Sequence, residues 1–259
     1  MVENLEKSIS DSLETDQKLL PYMPFLLQDL WALGSSVDDI IAAISSLDLP
    51  ADKTHVLDLG CGKGAVSVQV ASKFGYNVVG IDAMEPFLNI AREKAIEYRV
   101  ADRCQFVNQD ILDYVSSGRD FNMVILAALG GIFGSITDTV ATLRTQIKSD
   151  GYILIDDGYL KSMERLDRNG YEYCRNYDET IRELSAHGDR IIKEISTTEF
   201  SIRINEEYQR TIEKRGQELI KGHPELEQDI NEYIRLQAEE CHIIDTLIEG
   251  MLWILQRVE

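Results

Sequence analysis

Apolar positions along the chain fall into blocks with two different periods. Between residues 36 and 47, Val37, Ile40, Ile41, Ile44 and Leu47 recur at helical spacing. Ser36, with Asp39 three residues on, has the form of a capping box that uses aspartate. Residues 19 to 31 are rich in large apolar side chains but carry Pro21 and Pro24, which predicts a short helical or irregular arm packed on the domain. After the loop at 49–52, one unit repeats. Apolar runs at 55–59, 77–81, 104–107, 121–127 and 152–155 read as strands. Helical patterns at 63–74, 86–98 and 136–147 lie between them, and Ser149-Asp150-Gly151 reads as the turn into the fifth strand. Such alternation predicts a parallel sheet covered on both faces, and right-handed crossovers make it doubly wound.

Beyond Gly158 the rhythm changes. A helix is predicted at 177–186, a strand at 190–200 and a charged helix at 205–221 that Gly222-His223-Pro224 breaks. A second helix follows with Ile230, Ile234, Cys241, Ile244 and Ile248 on its apolar side, and 251–258 can close the sheet as a last strand. The expected organisation is an N-terminal helical arm at 1–52, an α/β core at 53–157, and a remainder at 158–259. In that remainder a helical lid at about 205–249 is inserted before the final strand.

Composition narrows the possibilities. The 259 residues are 44% hydrophobic and 27% charged, enough for one large α/β domain or a core with an appended lid. The opening 1–17 is polar and acidic, without the basic start and apolar run of a signal peptide. The longest apolar stretch, 123–134, falls short of the roughly 20 residues a bilayer requires. Cys61, Cys104, Cys174 and Cys241 lie far apart with no C-x-x-C pair, which argues for reduced thiols in a cytoplasmic protein and against a zinc knuckle or disulfide framework. A net charge of −19, without any run of lysine or arginine, would repel a nucleic acid. The expected partner is a small molecule, and the expected assembly a monomer or homodimer.

The candidate chemistry begins at Val56-Leu57-Asp58-Leu59-Gly60-Cys61-Gly62-Lys63-Gly64. Glycines belong where a strand reverses tightly into a helix and a ligand approaches the backbone. Asp82 ends the second strand at the spacing of a ribose-binding carboxylate, and Asp110 follows the third, where it and the Ile111 amide could read an adenine edge. Acidic groups after three successive strands make a site for an adenosine-containing ligand. Gly60-x-Gly62-x-x-Ala65 also satisfies the dinucleotide fingerprint, so the glycines alone leave the ligand open. Asp58 would repel a pyrophosphate and suits a ligand with an ammonium and a sulfonium.

These motifs resemble class I S-adenosylmethionine-dependent methyltransferases. Asp58-Leu59-Gly60-Cys61-Gly62-Lys63-Gly64 is similar to their first motif, Val79-Gly80-Ile81-Asp82 to the second, and Asn108-Gln109-Asp110-Ile111 to the third. Residues 121–125 resemble the fourth strand and 148–154 the turn into the fifth, so the resemblance covers about 53–157. It implies S-adenosylmethionine as cofactor and a seven-stranded Rossmann-like sheet whose last strand is antiparallel. By the same resemblance Asp58, Gly60, Cys61 and Gly62 would hold the methionine part, Asp82 the ribose hydroxyls, and Asp110 with Ile111 the adenine. Ala127, ending the fourth strand, completes the cofactor set.

Methyl transfer from a sulfonium is an in-line displacement, so the protein mainly aligns the acceptor and excludes water, and no catalytic triad is required. The sequence Ala127-Ala128-Leu129-Gly130-Gly131 lacks the N-P-P-Y type motif of nucleic-acid methyltransferases and the paired glutamates of arginine methyltransferases. Asp156 and Asp157 resemble half of the magnesium site of catechol-type enzymes, but the strand-four partner is missing and no metal is expected. Asp157, Tyr159 and His242, the last beside Glu239 and Glu240, are the candidate acceptor-facing groups. Trp31 and Trp253 read as core anchors. The predicted function is methyl transfer to an acceptor, a small molecule first and a basic polypeptide second. The alternatives are an NAD-dependent oxidoreductase and a catalytically silent S-adenosylmethionine-binding protein.

Overall fold

A computed structural model describes residues 2–168 and 170–258. Seven strands form one sheet in the order β3-β2-β1-β4-β5-β7-β6. They are β1 (His55–Leu59), β2 (Asn77–Asp82), β3 (Cys104–Asn108), β4 (Phe121–Ala127), β5 (Ile147–Leu160), β6 (Arg190–Ser196) and β7 (Ile248–Gln256). The pairs among β1 to β5 are parallel, while β7 runs antiparallel between β5 and β6. The strand order reverses around β1, which lies between β2 and β4. In an open α/β sheet, that reversal opens a crevice at the carboxyl ends of the strands.

Successive side chains of the central strands bury into opposite faces, as the two-residue period dictates. Val56, Met123, Ile125 and Leu154 belong to the core under α3 (Val37–Ser45) and α4 (Ala65–Phe74). Their neighbours Leu57, Val124, Leu126 and Ile153 belong to the core on the other face, with α7 (Ile136–Arg144) and α8 (Tyr177–Leu184). Leu57, Ile125 and Leu154 are wholly buried, and each such side chain stabilises the fold by roughly 1.5–3 kcal/mol. The crossover helices α5 (Glu85–Glu97) and the single turn α6 (Ile111–Tyr114) follow β2 and β3.

A third apolar cluster lies outside the sheet. Leu19, Met23, Leu26 and Leu27 of the arm, with its short helix α2 (Met23–Leu26), pack against Ile212 and Leu219 of α9 (Thr198–Gly222) and Ile230 and Tyr233 of α10 (Glu227–Leu247). Met84 and Phe87 join them from the start of α5. The arm and the α9–α10 hairpin therefore share one core, anchored beside the end of β2. The acidic opening segment, expected only as part of the helical arm at 1–52, forms α1 (Val2–Ser12), and its Ile9 packs on this cluster.

Several expectations change in detail. The Ser149-Asp150-Gly151 turn is a bulge inside β5: Ile147 pairs with Phe121 and Tyr152 with Met123, and Asp150 takes φ +61°. The strand expected at 190–200 stops at Ser196, because α9 begins at Thr198 and is longer than the 205–221 helix expected. β7 starts three residues before its expected position. The capping box at Ser36 is not completed: its hydroxyl donates to Asp39, while its backbone N–H donates to Asp156 Oδ2 at 3.1 Å. A distant carboxylate thus takes the amide that a local box would have used.

Candidate active site

The glycine turn leaves β1 at the strand reversal. Gly60, Gly62 and Gly64 take φ of +66°, +52° and +73°, a left-handed conformation that costs other residues roughly 1–2 kcal/mol each. At Gly64 space is limiting too, since a Cβ would lie 2.7 Å from Cβ of Ala91 on α5. Asp82 holds this turn from the next strand: Oδ2 accepts the Gly62 N–H and Oδ1 the Met84 N–H, both at 2.8 Å. A carboxylate has about four lone-pair positions, so each oxygen can still accept from one hydroxyl of a cis-diol. Burial raises the Asp82 carboxyl above its ordinary range, against the pull of the backbone donors. Asp110 caps α6, accepting the Leu112 N–H at 2.8 Å, and Ile111 occupies the first helical position, whose N–H has no partner within a helix.

All eight residues expected to touch the cofactor line one cavity of about 850 Å³. Asp58, Gly60, Cys61 and Gly62 come from the first turn, and Asp82, Asp110, Ile111 and Ala127 from the following strand ends. That volume lies within the 300–1,000 Å³ of small-molecule and cofactor sites. Asp58 differs from expectation in one respect. Its strand position faces α4, where it is 2% exposed and accepts the Ser67 hydroxyl. Desolvation pushes its carboxyl up to about 7, and the neighbouring Asp82 adds to the rise. Its negative charge is therefore conditional, and a cation bound beside it keeps it ionised.

The cavity continues past Ala127 beneath the arm and the hairpin. Asp157, one residue beyond the Asp156 that pairs with Ala127, lines it, whereas Tyr159 and His242 do not. Asp157 is exposed where the cavity opens, and the protein packed around its carboxyl pushes the group up to about 6. Tyr159 instead packs its ring edge to face against Tyr177 of α8, with centroids 5.2 Å apart. His242 is exposed, because α10 turns Gln237, Glu240, Cys241 and Ile244 toward the cavity and two residues past Glu240 is the opposite side of the helix. Trp253 is buried as expected, 1% exposed, and Trp31 donates its indole N–H to the Lys63 carbonyl at 2.9 Å. Both indoles also border the cavity.

Other contributors were not anticipated. Lys63 is 2% exposed, and its ammonium donates to the carbonyls of Leu27 and Leu30, the latter at 2.6 Å. Its Nζ also stands 5.5 Å from the Phe87 ring centroid, and burial lowers the group to about 8. A lysine in a glycine-rich turn ordinarily reads as ligand-facing; here it ties the turn to the arm. Glu14, Tyr171 and Tyr208 line the far end of the cavity and come from segments with no motif. A signal did exist for α10: positions 237, 241 and 244 keep one helical face, while Ile248, expected on it, begins β7. Among the described residues, no group of three or more His, Cys, Asp or Glu could hold a metal, and no helix is long and apolar enough to cross a membrane.

A doubly wound sheet with an antiparallel β7, a glycine turn at the strand reversal and acidic residues ending three adjacent strands is the class I S-adenosylmethionine-dependent methyltransferase fold. The chain belongs to the methyltransferase domain family, whose model matches residues 50–218. The structure of YjhP from Escherichia coli superposes with a TM-score of 0.75 at 14% identity, covering 91% of this chain and all of that one. In sequence, YjhP is 29% identical over 112 residues, 42% of this chain and 44% of that protein, so the match spans less than half of the relative. A methyltransferase from Geobacter sulfurreducens in complex with S-adenosylhomocysteine superposes with a TM-score of 0.75 at 19% identity, covering 90% of this chain and 96% of that one. The malonyl-[acyl-carrier protein] O-methyltransferase of Halalkalibacterium halodurans is 22% identical over 210 residues, 71% of this chain and 76% of that protein.

Proposed function

We propose that the protein transfers the methyl group of S-adenosylmethionine to a small-molecule acceptor held under the arm and the α9–α10 hairpin. The observation that carries this reading is the convergence of Asp58, Asp82 and Asp110 on one cavity that runs on to Asp157 and α10. S-adenosylmethionine supplies a methyl group on a positively charged sulfur, activated for displacement. Asp82 accepts the ribose hydroxyls with the lone pairs its two backbone donors leave free, and Asp110 with the Ile111 N–H meets the adenine. Asp58 and the turn Gly60-Cys61-Gly62 face the amino-acid part, while Ala127 borders the passage toward the acceptor.

The cap excludes water from the far end, which strengthens every polar contact there. Its covering elements are parts of one folded unit, a role we assign to residues 1–52 and to the hairpin. A nicotinamide dinucleotide would have to lay its pyrophosphate beside the carboxyls of Asp58 and Asp82, while the one lysine of the turn, Lys63, points its ammonium away to the Leu27 and Leu30 carbonyls. The four cysteines are unpaired, which suits a cytoplasmic protein acting as a monomer or homodimer.

Calorimetric titration with S-adenosylhomocysteine and with NADH tests the cofactor. Binding of the former with no binding of the latter is expected, and the reverse would end the assignment. Transfer of label from methyl-labelled S-adenosylmethionine to a pool of small molecules separates an enzyme from a silent binder.

A further inference from the structure

The part of the cavity beyond Ala127 has a distinct chemistry. Asp157 enters it from β5, Glu240 and Gln237 from α10, Glu14 from the chain after α1, and Tyr171 and Tyr208 from the segments between. Tyr171 donates its hydroxyl to Glu240 Oε1 at 3.0 Å, and Asp157 lies near enough to act electrostatically on the same phenol. The phenols of Tyr171 and Tyr208 are both raised, by burial first, and stay neutral. Lys7 lines the cavity from α1, and Arg168 stands behind its wall, paired with Glu14 Oε2 at 2.5 Å and, more loosely, with Glu239 Oε2 at 3.8 Å, and close enough to act electrostatically on Glu240. Two carboxylates that line the space form no ion pair among the described residues: Asp157, whose donor is the Gly158 N–H at 2.8 Å, and Glu240, whose donor is Tyr171.

Gln237 is the second and independent observation. It is 4% exposed, lines the cavity one turn before Glu240, and among the described residues its carboxamide has no hydrogen-bond partner. A buried carboxamide left unpaired costs roughly 1–3 kcal/mol, so its presence points to a ligand or water that completes it. An anionic acceptor would enter between two carboxylates that have no ion-pair partner among the described residues. A cation would neutralise them and find two aromatic faces beside it.

We propose that the methyl acceptor is an amine, bound as an ammonium between Asp157 and Glu240 beside Tyr171 and Tyr208, with a polar substituent meeting Gln237. This rests on the methyltransferase reading and names the substrate class of that site. One ammonium proton passes to the Asp157 carboxylate, leaving a nitrogen lone pair. The lone pair forms the new N–C bond as the S–CH₃ bond breaks, and the electron pair of that bond returns to sulfur. The products are the methylated ammonium and S-adenosylhomocysteine, and Asp157 releases its proton to solvent. A carboxyl held near neutrality by its surroundings suits that proton transfer.

The test uses the full chain saturated with S-adenosylhomocysteine, and matched amine, alcohol and carboxylate probes on butyl, benzyl and phenethyl frames, read by calorimetry. The amines are expected to bind at least about tenfold tighter than the matching alcohols, with the carboxylates weakest. Asp157→Asn and Glu240→Gln should each remove most of that preference while S-adenosylhomocysteine binds as in the wild type, which also reports that the variants are folded. With S-adenosylmethionine, the amines that bind should be methylated and Asp157→Asn should lower kcat. Amines that bind no better than their alcohols, whether all bind or none do, overturn the proposal, as does methylation of a carboxylate probe in preference to its amine. Failure of S-adenosylhomocysteine itself to bind would instead overturn the cofactor reading.

Discussion

Replacing Asp82 with alanine removes the one side chain that both holds the glycine turn and faces the ribose. Its two oxygens accept the Gly62 and Met84 N–H groups at 2.8 Å each, so the substitution leaves two backbone donors to be met by cavity water. Because the cavity reaches them, the cost to the fold should stay near the low end for lost hydrogen bonds, about 1–3 kcal/mol in all. That is affordable for a domain with the usual 5–15 kcal/mol of stability. The loss to the ligand is larger. Two hydroxyls donating to a carboxylate contribute roughly 1.5–3 kcal/mol apiece, so removing both weakens binding by about 10²- to 10⁴-fold. Asp82→Asn, which keeps one acceptor oxygen but no charge, should lose about half as much in free energy. Isothermal calorimetry with S-adenosylhomocysteine measures both, with circular dichroism and a thermal melt to establish folding. A folded Asp82→Ala variant that binds within twofold of the wild type would refute the ribose role and the orientation of the whole cofactor with it.

Three further outcomes are expected. Lys63→Met should leave the Leu30 carbonyl unpaired and the Leu27 carbonyl with only the Leu30 N–H, cost about 1–3 kcal/mol, and speed amide hydrogen exchange over residues 17–31; exchange there at the wild-type rate would show that the arm does not depend on the clamp. Gly80→Ala places a Cβ 2.8 Å from Cys61 Sγ and 2.9 Å from the rigid Phe106 ring, so it should displace the glycine turn and weaken S-adenosylhomocysteine binding by tenfold or more, and an unchanged dissociation constant would contradict that packing. The carboxyls of Asp58 and Asp156 are raised by burial to about 7 in the folded protein, far above the ordinary 3.8 of an aspartate. The folded state therefore holds protons the unfolded chain has released, and the stability they contribute, full below about pH 4, is lost as pH rises through 7. The melting temperature of the ligand-free protein should fall between about pH 5 and 8 through these groups, more steeply than in Asp58→Asn, and equal slopes would reject the shift.

The core of the sheet was legible because its information is local. Short apolar runs, the first of them ending at the glycine turn, gave β1 to β4 to within a residue at either end, and the spacing of Asp58, Asp82 and Asp110 followed from where each strand must end. A strand end fixes both the position and the direction of the residue that follows it, so motif order alone placed these carboxylates at one crevice. The antiparallel β7, inferred from family resemblance, was found three residues early and one strand in from the edge.

The acceptor end is different, because nothing local encodes it. Asp157 was only one of two adjacent aspartates until the fold tied Asp156 to the Ser36 amide and left Asp157 beside it on the cavity wall without such a distant partner. His242 looked like a base and Glu240 like its neighbour, yet helix phase reversed their standing. Lys63 could not be read as a clamp, since its partners lie more than thirty positions away in the arm. Periodicity and turn chemistry act between residues a few positions apart, so the sequence determined the sheet and the cofactor crevice by itself. Burial, desolvation and the meeting of α1, the arm and α10 over one space act between distant segments, so only the folded chain decided which carboxylates line that space and how far each is desolvated.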